Sequence, residues 1–200
     1  YDRDGDLDLF LVQSQGRHQL FRNDTPPGGT LRFSDQTAAL GGASGYGMGA
    51  AVSDVDGDGW PDIYVTQLGP NLLLRNLGNG TFADISQQAG ATDPRWSTSA
   101  TFADYDHDGR PDLFVLNYVD FTPGNHVECR SASGQPDYCT PRAYRPITSS
   151  LYRNLGGGRF ADVSVRAGLN QAKGPGLGVV ALDANDDGWL DFFVANDSMA

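Results

Sequence analysis

Short apolar runs alternate with polar, glycine-containing runs along the whole chain. Runs such as PDIYVTQ (61–67) and PDLFVLN (111–117) are rich in β-branched and aromatic residues, which is typical of strands. A run of small residues, such as MGAAVSD (48–54) or SATFADY (99–105), precedes each of them and is separated from it by one polar loop. The pattern therefore predicts pairs of short strands joined by polar loops, in an all-β chain.

A second pattern follows each pair of strands and predicts a hairpin. LLLRNLGNGTFADIS (72–86) matches LYRNLGGGRFADVS (151–164), and LFRNDTPPGGTLRFSDQT (20–37) is a looser copy with a longer turn. Each unit thus contains about four short antiparallel strands, the content of one β-propeller blade. An Arg-Asn pair recurs in the hairpins, at Arg22, Arg75 and Arg153, and we expect it to make hairpin hydrogen bonds.

The polar loops share one spacing of aspartate and glycine. In DVDGDGWPD (54–62), aspartates occupy positions 1, 3, 5 and 9, and glycine occupies position 6. DYDHDGRPD (104–112) and DANDDGWLD (183–191) repeat this spacing, and the chain opens inside a fourth copy, YDRDGDLD, that lacks position 1. The four position-6 glycines are 54, 50 and 79 residues apart, so the last interval carries an insertion.

Carboxylates at alternate positions, with a glycine that allows a sharp turn, can converge on one cation. Ca²⁺ accepts six to eight oxygen ligands in flexible geometry, whereas Mg²⁺ requires a strict octahedron. No His or Cys occupies a ligand position, which argues against zinc and copper. The alternative is a polar turn whose aspartates bond their own backbone. The predicted ligands are the side chains of Asp2, Asp4, Asp8, Asp54, Asp56, Asp58, Asp62, Asp104, Asp106, Asp108, Asp112, Asp183, Asn185, Asp187 and Asp191, with position-7 backbone carbonyls from Trp60, Arg110 and Trp189.

The loops differ from an EF-hand, which requires a glutamate at position 12 between two helices. Position 12 is Val65, Val115 and Val194 here, each within an apolar run that predicts a strand. The sequence therefore predicts that each loop joins two strands.

The distribution of charge supports cation binding. The chain has a formal net charge of −11, and 14 of its 25 acidic residues occupy the loop ligand positions. The remaining 11 acids face 14 basic residues, so the acidity is concentrated in the loops. With one lysine and no basic run, the chain is not expected to bind nucleic acid. No apolar run approaches membrane-spanning length.

These motifs resemble FG-GAP or VCBS repeats, the blades of integrin α-subunit-type propellers. GYGMGAAVSDVDGDGWPDIYV (45–65), DYCTPRAY (137–144) and GPGLGVVALDANDDGWLDFFVAND (174–197) look closest to bacterial proteins akin to cartilage acidic protein, which often carry an ASPIC/UnbV domain. The resemblance implies a seven-bladed propeller with Ca²⁺ in the loop between the first two strands of a blade. We expect residues 1–200 to be part of one such domain, with three to four repeats, inside a longer protein.

The insertion, residues 117–148, is polar and contains the only two cysteines, Cys129 and Cys139. We expect a disulfide between them, which implies an oxidising compartment, and modest-affinity Ca²⁺ sites also suit an extracellular, periplasmic or cell-envelope location. The insertion either packs against a neighbouring blade or serves recognition. Its tyrosine- and arginine-rich set, of a kind enriched at binding hot spots, is Tyr118, Phe121, His126, Arg130, Tyr138, Arg142, Tyr144 and Arg145.

The fold alone does not define a function, because propellers host many activities. The leading hypothesis is a secreted binding or adhesion module with structural Ca²⁺ and a protein or glycan partner. The second is a lectin that stacks sugars on Trp60, Trp96 or Trp189. The third is an enzyme or its scaffold, which is disfavoured because the three histidines are scattered and no catalytic set is recognisable.

Overall fold

A computed structural model describes residues 1–197, and its strands form small antiparallel sheets, one for each sequence unit. The first sheet has three strands and the second has four, in both cases in chain order. These strands are β1 (Leu9–Leu11), β2 (Gln19–Asn23), β3 (Phe33–Asp35), β4 (Gly47–Ser53), β5 (Asp62–Gln67), β6 (Leu72–Asn76) and β7 (Phe82–Asp84).

The third sheet repeats the second, but its second and third strands are separated by the insertion. Its strands are β8 (Ser97–Ala103), β9 (Asp112–Asn117), β12 (Ser150–Gly156) and β13 (Arg159–Asp162), while β10 (Cys129–Arg130) and β11 (Pro136–Asp137) form a small hairpin within the insertion. β14 (Gly176–Leu182) and β15 (Asp191–Asn196) begin a fourth blade. The predicted all-β fold of four-stranded antiparallel blades is confirmed.

Helical structure within residues 1–197 is restricted to short segments after strands or within the insertion. They are the α-helix α1 (Ser86–Ala89) and the 3₁₀ segments Thr37–Leu40, Pro123–Asn125, Pro141–Ala143 and Leu169–Gln171. None of the helices in this part of the chain is long and apolar enough to span a membrane.

The first strands of successive blades lie against one another, β4 beside β8 and β8 beside β14. The Thr98 hydroxyl donates a hydrogen bond to the Gly176 carbonyl across one of these contacts, at 2.8 Å. A Cβ at Gly49 would lie only 2.9 Å from the Thr98 carbonyl oxygen. The run of small residues that marks each first strand therefore allows the blades to approach closely.

The hydrophobic core is distributed between the blades. One cluster joins the second blade to the third through Tyr64, Leu73, Leu113, Tyr152 and Phe160. Similar clusters lie between the first and second blades and between the third and fourth. Because every sheet packs on its neighbours, each blade depends on the next for burial of its apolar side chains.

Each complete blade has two ends that differ in chemistry. The loop between its first and second strands, 54–61 or 104–111, lies at one end, which we call the Asp-loop end. Because the strands are antiparallel, the connection between the second and third strands lies at the other end. This connection is residues 68–71 in the second blade and the whole insertion in the third, so we call it the insertion end.

Candidate metal centres

Each Asp loop turns through two residues with left-handed backbone conformation. Position 6 is the expected glycine, such as Gly59 with φ of 86°. Position 4 is also left-handed, and it is occupied by Arg3 (φ 63°), Gly57 (φ 79°), His107 (φ 57°) and Asp186 (φ 60°) in the four loops. This second turn was not predicted, because arginine and histidine carry no strong signal for positive φ.

The position-1 aspartate organises the turn. One Asp54 oxygen accepts hydrogen bonds from the N–H groups of Gly57 at 2.8 Å and Asp58 at 3.1 Å, and the other accepts from Gly59 at 2.8 Å. Asp104 and Asp183 accept equivalent bonds from the position-6 glycines, also at 2.8 Å. These are the backbone bonds expected of a polar turn, and they fix the carboxylate while its oxygens retain lone pairs for a cation.

The turn brings carboxylates together in the second and third blades. One oxygen each from Asp54, Asp56 and Asp58 lies within 4.8 Å of the others, and Asp104, Asp106 and Asp108 form the same arrangement. Three hard oxygen donors at this separation suit a cation such as Ca²⁺.

Arginine from the following hairpin offsets part of this negative charge. The Arg75 guanidinium lies 2.5 Å from an Asp56 oxygen and 3.1 Å from an Asp58 oxygen. Arg153 repeats the contacts with the third-blade loop, at 2.7 and 3.0 Å, and Arg110 also pairs with Asp108 there. We expected the hairpin arginines to make hydrogen bonds within the hairpin. Arg22 does so, because its Nε donates to Asp24 at 2.8 Å, whereas Arg75 and Arg153 pair with the loop of their own blade.

The position-9 aspartate has a different environment. Asp62 is fully buried and accepts N–H bonds from Val55 at 2.9 Å and Asn76 at 2.8 Å, so it ties the loop to β6. Asp112 is placed in the same way. Burial raises the pKa of each carboxyl to about 6, although the backbone bonds act in the opposite direction. The structure does not bring position 9 into the group formed by positions 1, 3 and 5.

The asparagines of the second- and third-blade Arg-Asn pairs link neighbouring blades. The Asn154 amide donates to the Val55 carbonyl in the preceding loop at 2.9 Å and to the Pro111 carbonyl in its own blade at 3.0 Å. Asn76 makes the equivalent bonds to Tyr1 and Pro61. The loop and its blade are thereby joined to the next blade. The recurring Arg-Asn pair predicted a structural role, but it did not predict this contact between blades.

The first and last loops keep the turn but differ from the complete loops in the side chains that could bind a cation. In the first, Asp4 accepts an N–H bond from Asp6, and Asp8 accepts one from Asn23. In the last, the Asn185 amide donates to Asp187 at 2.8 Å. The remaining predicted ligand residues are placed as in the complete loops. Asp2 accepts a hydrogen bond from the N–H of Asp4, and Asp191 accepts one from the N–H of Ala184. Within residues 1–197, carboxylate triplets form only in the two complete loops.

At two junctions between loops, the position-7 side chain contacts the position-4 side chain of the preceding loop. Trp189 is 52% exposed and stacks on His107 with ring centroids 4.3 Å apart. The Arg3 guanidinium lies 5.2 Å from the Trp60 ring centroid. The two tryptophans therefore contribute side chains to contacts between loops, while their carbonyls remain proposed ligands.

The insertion contains the expected disulfide between Cys129 and Cys139. Its aromatic residues and its arginines differ in their contacts, although Arg142 and Tyr144 line one small cavity. Tyr118 and Phe121 pack on Trp96, with ring centroids 5.1 and 5.2 Å away, whereas Arg130 pairs with Glu128 at 2.6 Å.

Four-stranded antiparallel blades that pack through their first strands and each carry an Asp loop define a repeat β-propeller. The FG-GAP-like repeat family matches residues 1–65 and 54–115, more than half of the sequence, and the chain belongs to this family.

The chain is also similar to cartilage acidic protein 1 from three vertebrates. It is 28% identical to the Mus musculus and Homo sapiens proteins over 86% of its length and 32% of theirs. It is 31% identical to the Xenopus tropicalis protein over 98% of its length and 38% of that protein. The chain thus spans about a third of the length of the curated relatives it matches. The predicted resemblance to FG-GAP repeats and cartilage acidic protein is confirmed.

Proposed function

We propose that this chain is part of an extracellular β-propeller that binds Ca²⁺ in its Asp loops and acts as an interaction module. The main support is the convergence of three carboxylates in each complete loop. One arginine bridges two of the three carboxylates in the second blade, so the loop retains excess negative charge that a divalent cation would neutralise.

The proposed role of the ion is structural. The loops lie where one blade meets the next, because the Asn154 amide bonds the Val55 carbonyl inside the preceding loop. An ion that fixes the loop would therefore also fix the blade junction. The ion would be held by positions 1, 3 and 5 and the position-7 carbonyl. Position 9 would support it from the protein side.

Calorimetric titration of the metal-free chain with Ca²⁺ tests this proposal. We expect saturable binding, and we expect Asp106→Asn to remove one site because it deletes a carboxylate from the third-blade triplet. Asp186→Asn is the matched control, since Asp186 occupies the exposed, non-ligand position 4 of its loop. If neither the unmodified chain nor the Asp186→Asn control binds Ca²⁺ at millimolar concentration, the typical range of weak extracellular sites, the proposal is wrong.

The proposed extracellular location is supported by the disulfide, because such bonds persist in oxidising compartments. The interaction role is supported by the insertion, a long excursion on a rigid scaffold, where recognition residues are often found. A carbohydrate ligand is a second candidate, favoured by the exposure of Trp189. A glycan array separates the two candidates: binding that Trp189→Ala abolishes would establish the lectin function.

A further inference from the structure

A cleft of about 630 Å³ opens at the insertion end of the second and third blades, opposite the Asp loops. One wall is formed by blade residues that precede the first strands, including Tyr46 and Trp96. The other is formed by the insertion, including Tyr118, Phe121 and Tyr144. The cleft thus exists only where the insertion folds back over the repeated scaffold.

The aromatic side chains of the cleft pack edge to face. Tyr118 meets Trp96 at an interplanar angle of 76°, and Tyr144 meets Phe121 at 85°. In such a pair, the ring that contributes its edge keeps its faces clear of its partner. Aromatic faces carry negative electrostatic potential and attract cations within about 6 Å of the ring centroid.

The two charged side chains that line the cleft are both acidic. Glu128 and Asp137 line it together with His126, and none of its lining residues is lysine or arginine. This is notable because the insertion carries Arg130, Arg142 and Arg145. Arg130 holds Glu128 in a largely exposed ion pair, and such pairs contribute about 1 kcal/mol or less, so a guest can replace it.

We propose that this cleft binds an arginine side chain from a basic partner protein. A guanidinium stacks on aromatic faces and pairs with carboxylates through its planar fork, whereas a lysine ammonium is a compact, strongly hydrated charge. A neutral guest could donate only uncharged hydrogen bonds to Glu128 and Asp137, and an anionic guest would be repelled by them. The assignment deepens the proposed interaction role and rests on it, but it does not require metal in the Asp loops.

The test is a nuclear magnetic resonance titration of the Ca²⁺-saturated chain at about 0.15 M salt, where exposed charges are screened beyond about 8 Å. The probes are three capped tripeptides, Gly-Arg-Gly and its lysine and citrulline analogues, since citrulline is a neutral analogue of arginine. The indole N–H signals of Trp60, Trp96 and Trp189 report on separate places, because Trp96 lines the cleft and the others lie in the Asp loops. We expect the arginine peptide to shift the Trp96 signal most, the lysine peptide less, and the citrulline peptide least.

Two charge-matched double variants locate the effect. Glu128→Gln with Asp137→Asn should weaken arginine binding about tenfold, as the loss of close charge pairs does at other interfaces. Asp6→Asn with Asp186→Asn removes the same charge from exposed positions in the Asp loops and should leave binding unchanged. All four residues are exposed, so the variants are expected to fold.

Shifts at Trp60 and Trp189 without a shift at Trp96 would indicate general attraction to the acidic loops and overturn the proposal. Equal shifts with arginine and citrulline would also overturn it, because the cleft would then select shape alone. Ca²⁺ binding is measured separately by calorimetry, so failure of the arginine site is distinguishable from failure of the proposed metal sites.

Discussion

The two ends of the blades both place aspartate beside arginine, but in different proportions. At the Asp-loop end, the three carboxylates of Asp54, Asp56 and Asp58 gather near one guanidinium, that of Arg75. At the insertion end, a single buried carboxylate, Asp93, is paired with Arg95. The Asp-loop triplet therefore has an excess of negative charge, whereas the Asp93–Arg95 pair is balanced.

Asp93 has its hydrogen bonds supplied by the protein. It accepts bonds from Arg95 Nε at 2.7 Å, the Asn117 amide at 3.1 Å and the Ser150 hydroxyl at 2.9 Å. Burial alone would raise its pKa, but the bonds and charge of Arg95 outweigh burial and hold the pKa below its ordinary value. An aspartate whose charge is neutralised by a paired arginine therefore stabilises the fold. A group of aspartates that outnumbers its arginines is instead suited to bind a cation.

The largest expected effect is that of metal removal at the Asp-loop end. Each loop saturated at 100 times its dissociation constant contributes about 2.7 kcal/mol to folding, so two loops contribute about 5 kcal/mol. For a chain of this size we expect chelation to lower Tm by roughly 10–20 °C. Calorimetry with EDTA, followed by Ca²⁺ or Mg²⁺, measures it, and Ca²⁺ should restore Tm better than Mg²⁺.

A protein shown to be metal-free that melts at the same temperature with and without Ca²⁺ would contradict this prediction. Both ends would then be stabilised by the protein alone, because Arg75 and the hydrogen bonds of the turn would be sufficient to offset the negative charge of the loop.

The next largest effect is expected from Asp93→Ala at the insertion end. Breaking a buried ion pair costs about 3–5 kcal/mol, and we expect roughly 3–4 because 34% of the Arg95 side chain is exposed. Since the folded pKa of Asp93 is lowered, its contribution is present at neutral pH and is lost as the pH falls below about 4, through the folded value. Urea unfolding at several pH values measures this loss.

Asp93→Ala should leave the increment in stability that Ca²⁺ provides unchanged. If the variant instead loses the response to Ca²⁺, the two ends are coupled through the blade, and the contrast between them would no longer hold.

Sequence patterns predicted what repeats and missed what depends on contact between blades. The strands, the hairpins and the glycine at position 6 follow from local residue preferences. The bond from Asn154 to Val55 joins residues 99 positions apart, and the burial of Asp93 depends on Asn117 and Ser150 in other strands. No local signal encodes either contact. Asp93 stands before a proline in the sequence and resembles an ordinary turn residue.

A smaller effect is expected from removing the disulfide. Cys129→Ser with Cys139→Ser opens a loop with a sequence separation of 10, which should cost about 2–3 kcal/mol by chain entropy. Because the disulfide lies at the insertion end, Ca²⁺ binding measured by calorimetry should be unchanged, while the arginine peptide should bind less tightly. Weaker Ca²⁺ binding in this variant would show that the insertion helps to form the Asp loops.

The smallest effect is expected from Arg75→Gln, which changes the balance of charge at the Asp-loop end. The Arg75 side chain is 39% exposed, so its loss should cost the metal-free protein less than about 1 kcal/mol. The same change removes a cation from beside the proposed site, so Ca²⁺ should bind that loop about fivefold more tightly, equivalent to about 1 kcal/mol of screened repulsion. Arg159→Gln, at an exposed position in β13, is the matched control and should leave the affinity unchanged. Weaker binding by Arg75→Gln would reverse the interpretation, because Arg75 would then be needed to orient Asp56 and Asp58 toward the ion.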